Sequence, residues 1–80
     1  MKIKLQAFGI AKDIIGGASG ELDLSDNATI VHVKDKLTQL YPGFESIRKF
    51  SIAVNQEYQD DDFEINEGDE LVIIPPVSGG

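Results

Sequence analysis

The sequence predicts an α+β domain in two layers, one mixed sheet with one main helix packed across one of its faces. Three features predict it. Residues 2–8 and 20–24 alternate apolar with polar side chains, the period of half-buried strands. Ile30, Val33, Leu37 and Leu40 recur at helical spacing, an apolar stripe that needs a sheet to lie on. Glu70-Leu71-Val72-Ile73-Ile74 carries apolar residues on both faces, as befits a central strand or one whose outer face meets a partner.

In the first strand Ile3, Leu5 and Ala7 share one face; Lys2, Lys4, Gln6 and Phe8 share the other, so Phe8 is an aromatic on a polar face. A short helical turn is expected over residues 11–15, closed by Gly16-Gly17 as a C-terminal cap. Residues 20–24 return as a second strand in a wide hairpin with the first. Asn27 and Thr29 offer side-chain oxygens to open the helix over residues 30–40, and Tyr41-Pro42-Gly43 ends it. Residues 44–49 connect onward with one helical turn around 45–48. Phe50-Ser51-Ile52-Ala53-Val54 reads as a strand, Asn55-Gln56 as a hairpin turn, and residues 57–59 as its return. Beyond the solvated Asp60-Asp61-Asp62, Phe63 and Ile65 point inward, and Glu67-Gly68-Asp69 turns into the last strand.

A chain of 80 residues has room for one core. It contains no cysteine, which excludes disulfides, thiolate metal sites and a thiol nucleophile. Lys4 and Gln6 interrupt the start of the chain too early for a signal peptide, and no stretch is long and apolar enough for a membrane, so a soluble cytoplasmic protein is expected. A net charge of −7 argues against nucleic-acid binding, which needs surplus Lys and Arg to displace counterions. All seven basic residues lie at or before Lys49, whereas eight acidic ones follow it, a distribution that favours encounter with a basic partner or simply keeps the domain in solution.

Catalytic constellations are not found. Gly16-Gly17-Ala18-Ser19-Gly20 lacks the Lys-Ser/Thr and the following helix of a phosphate loop. His32, the one histidine, sits off the apolar stripe of its helix with no second ligand at metal spacing, and reads as solvent-facing. Asp60-Asp61-Asp62 lacks the alternating oxygens and the glycine of a calcium loop. No serine can be matched with a histidine and a carboxylate, so the chain on its own is not expected to be an enzyme, to hold a metal or to bind a cofactor.

What remains is the end, Pro75-Pro76-Val77-Ser78-Gly79-Gly80. The two prolines stiffen the stem, and residues before a proline are pushed toward extended geometry. Two glycines without Cβ can pass through a gap closed to other residues. Six extended residues reach roughly 20 Å, enough to enter a neighbouring active site. The expected division is therefore a folded body over residues 1–74 and an extended tail over residues 75–80.

Ala53-Val54-Asn55-Gln56, Glu67-Gly68-Asp69-Glu70-Leu71 and the Pro-Pro-Val-Ser-Gly-Gly end together resemble the small, sulfur-carrying subunit of molybdopterin synthase, within the ubiquitin-like ThiS family. The stretch from Phe8 to Gly16 is similar too, and the likeness spans the chain. It implies a β-grasp fold. It also implies that an adenylyltransferase of the ubiquitin-activating type uses ATP to adenylate the Gly80 carboxylate, and that sulfur then replaces AMP to leave a thiocarboxylate. Pro75, Pro76, Val77, Ser78 and Gly79 would thread into the large catalytic subunit, where sulfur passes to cyclic pyranopterin monophosphate to build the dithiolene of molybdopterin. Phe8, Tyr58 and Ile74, outward apolar residues at the base of the tail, are the expected partner contacts. Two alternatives share the activation step: a ubiquitin-like modifier joined to target lysines through Gly80, and a sulfur carrier for thiazole synthesis, whose members tend to be shorter and to lack the diproline.

Overall fold

The computed structural model describes residues 1–47 and 50–75. In chain order these form β1 (Lys2–Ala7), α1 (Gly9–Ile15), β2 (Ser19–Asp23), α2 (Ile30–Leu40), a 3₁₀ segment (Pro42–Ile47), β3 (Ser51–Val54), β4 (Glu57–Tyr58) and β5 (Glu70–Ile74). The strands make one mixed sheet in the order β2-β1-β5-β3-β4. β5 lies at its centre, parallel to β1 and antiparallel to β3.

Burial follows the alternation. Ile3, Leu5 and Ala7 of β1, Leu71 and Ile73 of β5 and Ile52 and Val54 of β3 form one core with Ile30, Val33 and Leu37 of α2. Ile30, Val33 and Leu37 of the expected stripe thus cover one sheet face, whereas Leu40, in the last turn of the helix, is 53% exposed and not part of the core; no polar or charged residue is buried among the described residues. Gly16 closes α1 in the left-handed region at φ +83°, with its N–H donating to the carbonyl of Lys12 at 3.0 Å, as a glycine cap does.

The first turn of α2 shows how a helix start is satisfied by side chain and loop together. Thr29 and His32 form a capping box, with the Thr29 N–H donating to His32 Nδ1 at 2.9 Å. Ile30 N–H donates to the carbonyl of Phe63 and Val31 N–H to that of Asp61, each at 3.0 Å. The acidic loop is therefore fastened onto the helix start, and Lys34 Nζ adds an ion pair to Asp61 at 2.8 Å. Histidine 32 is exposed as expected, but its ring has a structural task that its position off the stripe did not suggest. Replacing the cap, Thr29→Ala, is expected to cost about 1 kcal/mol. In thermal unfolding that is a drop of about 4–8 °C for a domain of this size, whereas His32→Gln keeps an acceptor in the box and is expected to stay near the parent.

β2, β3 and β4 differ from expectation by one residue at an end, and two segments differ by more. α1 starts at Gly9, two residues before the expected residue 11, because Gly9 takes φ +55° and turns the chain from strand into helix in a single step. The connection after α2 is a 3₁₀ segment that begins at Pro42 and not near residue 45. It inserts Phe44, only 1% exposed, between Tyr41 and Phe50, with ring centroids 6.2 and 5.1 Å away. The expected turn at residues 45–48 falls partly outside the described residues.

Candidate functional site

Because β1 and β5 run parallel, their C-terminal ends arrive side by side at one end of the sheet. The register pairs Gln6 with Val72 and Ala7 with Ile73, so one residue further Phe8 comes level with Ile74. On the other side of β5, Ile74 is opposite Ser51, and Val72 is opposite Ala53, which in turn pairs with Tyr58. Phe8, Ile74, Val72, Ala53 and Tyr58 thus share the sheet face that no helix covers. Phe8 is 56% and Tyr58 68% exposed, while Ile74 and Val72 are half-buried. The other half of this face is charged: Lys2 stands opposite Asp23 and Lys4 opposite Glu21. Such cross-strand pairs attract one another and leave the apolar half as the part suited to losing its water.

The root of the tail lies at the edge of this patch. An added Cβ on Gly9 would come within 3.7 Å of Pro75 Cγ, so the turn into α1 and the first tail residue are in close proximity. Ile10, 48% exposed, follows directly and enlarges the apolar surround. Sequence alternation missed Gly9 and Ile10, since it stops where the strand stops; a glycine directly after an outward aromatic was the available signal. Pro76, Val77, Ser78, Gly79 and Gly80 lie outside the described residues.

At the opposite end of β5 the two internal motif segments meet. The Asn55 side chain donates to Asp69 Oδ1 at 3.0 Å and accepts from the Glu70 N–H at 3.0 Å, while its backbone N–H donates to the Glu70 carbonyl at 2.9 Å. Asp69 also accepts from the Asn66 N–H at 2.8 Å through its other oxygen. The Asn-Gln turn and the Gly-Asp-Glu turn are therefore one hydrogen-bonded clasp, which fixes where the central strand begins and hence where it ends. Among the described residues no group of three or more His, Asp or Glu side chains is placed to hold a metal ion, and no helix is long and apolar enough to cross a membrane.

The sequence model of the ThiS family matches residues 5–80. The chain belongs to the ThiS family. Among its relatives, the molybdopterin synthase sulfur carrier subunit of Dictyostelium discoideum is 43% identical over 83 residues, covering 99% of this chain and 96% of that one. The subunit of the same name from Chlamydomonas reinhardtii is 36% identical, with both chains covered in full. Among solved structures, SAMP1 from Haloferax volcanii superposes with a TM-score of 0.84 at 25% identity, with both chains covered in full. The smaller fold likeness to a complex of subunits 1 and 2 of the molybdopterin-converting factor from Helicobacter pylori has a TM-score of 0.68 at 23% identity, with both chains again fully covered. This ThiS-family chain has the ubiquitin-like β-grasp fold that the resemblance implied.

Proposed function

We propose that this chain is the sulfur carrier subunit of a molybdopterin synthase, with residues 1–74 as the docking body and residues 75–80 as the arm that carries sulfur. The observation that carries the reading is the full-length 43% identity to the Dictyostelium subunit, with the family match running through Gly80. A carboxylate is ionised near neutral pH and has no leaving group. The Gly80 carboxylate oxygen therefore first attacks the α-phosphate of ATP on an adenylyltransferase, and pyrophosphate leaves. A sulfur nucleophile then displaces AMP from the carbonyl carbon and leaves a thiocarboxylate. In the large subunit that sulfur displaces an oxygen substituent from a carbon of cyclic pyranopterin monophosphate, a C–S bond forming as the C–O bond breaks, and water then cleaves the resulting thioester to leave the sulfur on the product and restore the Gly80 carboxylate.

Within this scheme the body orients and the partner catalyses. The parallel ends of β1 and β5 support the reading, since they set Phe8, Ile74 and Pro75 together at one end of the sheet, so a subunit that covers the patch receives the tail in a fixed direction. Pro75 and Pro76 keep the arm extended; Val77, Ser78 and Gly79 thread. The large subunit supplies the cationic groups that stabilise charge developing at the reacting carbonyl. The site of action is the cytoplasm, where ATP is available.

The test is intact mass after incubation with the cognate adenylyltransferase, ATP and a sulfur donor. A gain equal to sulfur for oxygen at one site is expected. Likeness to the archaeal modifier SAMP1 favours a second reading, conjugation of Gly80 to lysines. Under that reading the same incubation, with a cell extract added, gives a ladder of protein adducts and no accumulation of thiocarboxylate.

A further inference from the structure

The tight turn between β3 and β4 places two residues at positive φ, Asn55 at +51° and Gln56 at +74°. Asparagine tolerates the left-handed region; glutamine, with its longer side chain, is strained there, and glycine is what such a turn favours at its second position. For Asn55 the cost is offset within the fold, because its side chain makes the clasp to Asp69 and Glu70. Gln56 has no such return. It is exposed, and among the described residues its side chain makes no hydrogen bond.

An amide that offers two donors and one acceptor, held in a strained conformation with no partner among the described residues, can serve a contact outside its own chain. Its position suggests where. Gln56 stands two residues before Tyr58 on the edge hairpin, which borders the apolar half of the uncovered sheet face. The turn lies at the Glu70 end of β5, whereas the tail leaves from the Ile74 end, about 13 Å away along the strand. Glu57, Asp69 and Glu70 surround it, so a surface that meets this tip must bring positive charge.

We propose that Gln56 is a contact residue for the large subunit, at the far end of the docking surface that begins at Phe8 and Ile74. The partner surface offers polar groups to the amide inside a basic rim. Contacts at both ends of β5 fix the tilt of the body as well as its position, and so strengthen the aim that the patch around Phe8 and Ile74 gives the tail. This inference rests on the sulfur-carrier reading and adds to it the residue that sets orientation.

Two substitutions in the full chain separate contact from strain. Gln56→Gly relieves the backbone, so the thermal midpoint is expected to rise by several degrees while affinity for the purified large subunit, read by calorimetric titration, falls about tenfold, the scale of one interfacial polar contact. Gln56→Met keeps the shape and the strain but loses the amide; its midpoint is expected to match the parent, with a similar fall in affinity. Should either variant bind as tightly as the parent, the contact is refuted. A Gln56→Gly midpoint at or below that of the parent refutes the strain from which it was inferred. If the parent itself fails to bind the large subunit, the sulfur-carrier reading falls and this contact falls with it, whereas tight binding by both variants removes Gln56 alone.

Discussion

Deletion of Gly80 is expected to lower sulfur loading at least about 100-fold and to leave the thermal midpoint unchanged. The deletion does not remove a carboxylate; it moves one back by a whole residue, roughly 3.5 Å. Reacting atoms must approach to about 3–3.5 Å in a fixed orientation, and a misplacement of about 1 Å already costs on the order of 100-fold. The described core runs from Ile3 to Ile73 and is closed by β5 ahead of Pro75, which is why the midpoint is expected to hold. Gly79→Leu is expected to act the same way for a different reason, since a branched side chain blocks the passage that a bare glycine permits. Mass spectrometry of the loading reaction, paired with a melting curve, reads both effects. A truncated chain that loads at close to the parent rate overturns the account of the tail, and a large loss of stability makes the glycines structural.

Phe44→Ala is expected to cost about 3–5 kcal/mol, the range for a buried aromatic whose cavity cannot collapse. At 1% exposure and with its ring stacked at a tilt 5.1 Å from Phe50, Phe44 holds the 3₁₀ segment against α2 and the start of β3. A domain of this size has a total stability of about 4–12 kcal/mol, so the substitution removes a large share of it. The thermal midpoint should fall by roughly 15 °C or more. Phe44→Leu, which fills most of the space, should lose far less. Denaturant unfolding distinguishes the outcomes: a shift of the midpoint at constant slope is expected, and a loss below about 1 kcal/mol for the alanine variant means that the ring is not part of the core.

Several expectations drawn from residues alone agree with the described structure because the governing interactions are local. The 30–40 helix is bounded by Thr29 and by Tyr41 ahead of Pro42, signals that act within one turn. Gly16 caps α1 for an equally local reason. The β1 alternation assigned Ile3, Leu5 and Ala7 to the core, and they are buried. Segments with mixed signals were placed less well. A phenylalanine between Gly43 and Glu45 looks like connection until its burial is known. Gly43 itself approaches α1 so closely that an added Cβ would lie 3.2 Å from Ile14 Cγ2, a contact that no local pattern announces.

The candidate site divides along the same line. Phe8 and Ile74 were legible as outward apolar residues, since each breaks a polar or alternating pattern in its own strand. That they stand level, with Tyr58 on the same face, depends on the pairing of β5 with β1 and β3. The clasp between Asn55 and Asp69, which closes over a separation of 14 residues, shows in the sequence only as two separate motif segments.

The sequence by itself determined most of the local facts of this protein: the central residues of each strand and of the main helix, and which face of each is apolar. These depend on periods of 2 and 3.6 residues and on side chains that cap their own neighbours. Only the tertiary structure decided that β5 runs between β1 and β3, that the ends of β1 and β5 meet where the tail departs, and that Gln56 takes a positive φ with no side-chain hydrogen bond among the described residues. Strand order is set by contacts between segments far apart in the chain, which compete with many other pairings of similar local merit, and a backbone angle imposed by such a pairing leaves no mark on the residue that must adopt it.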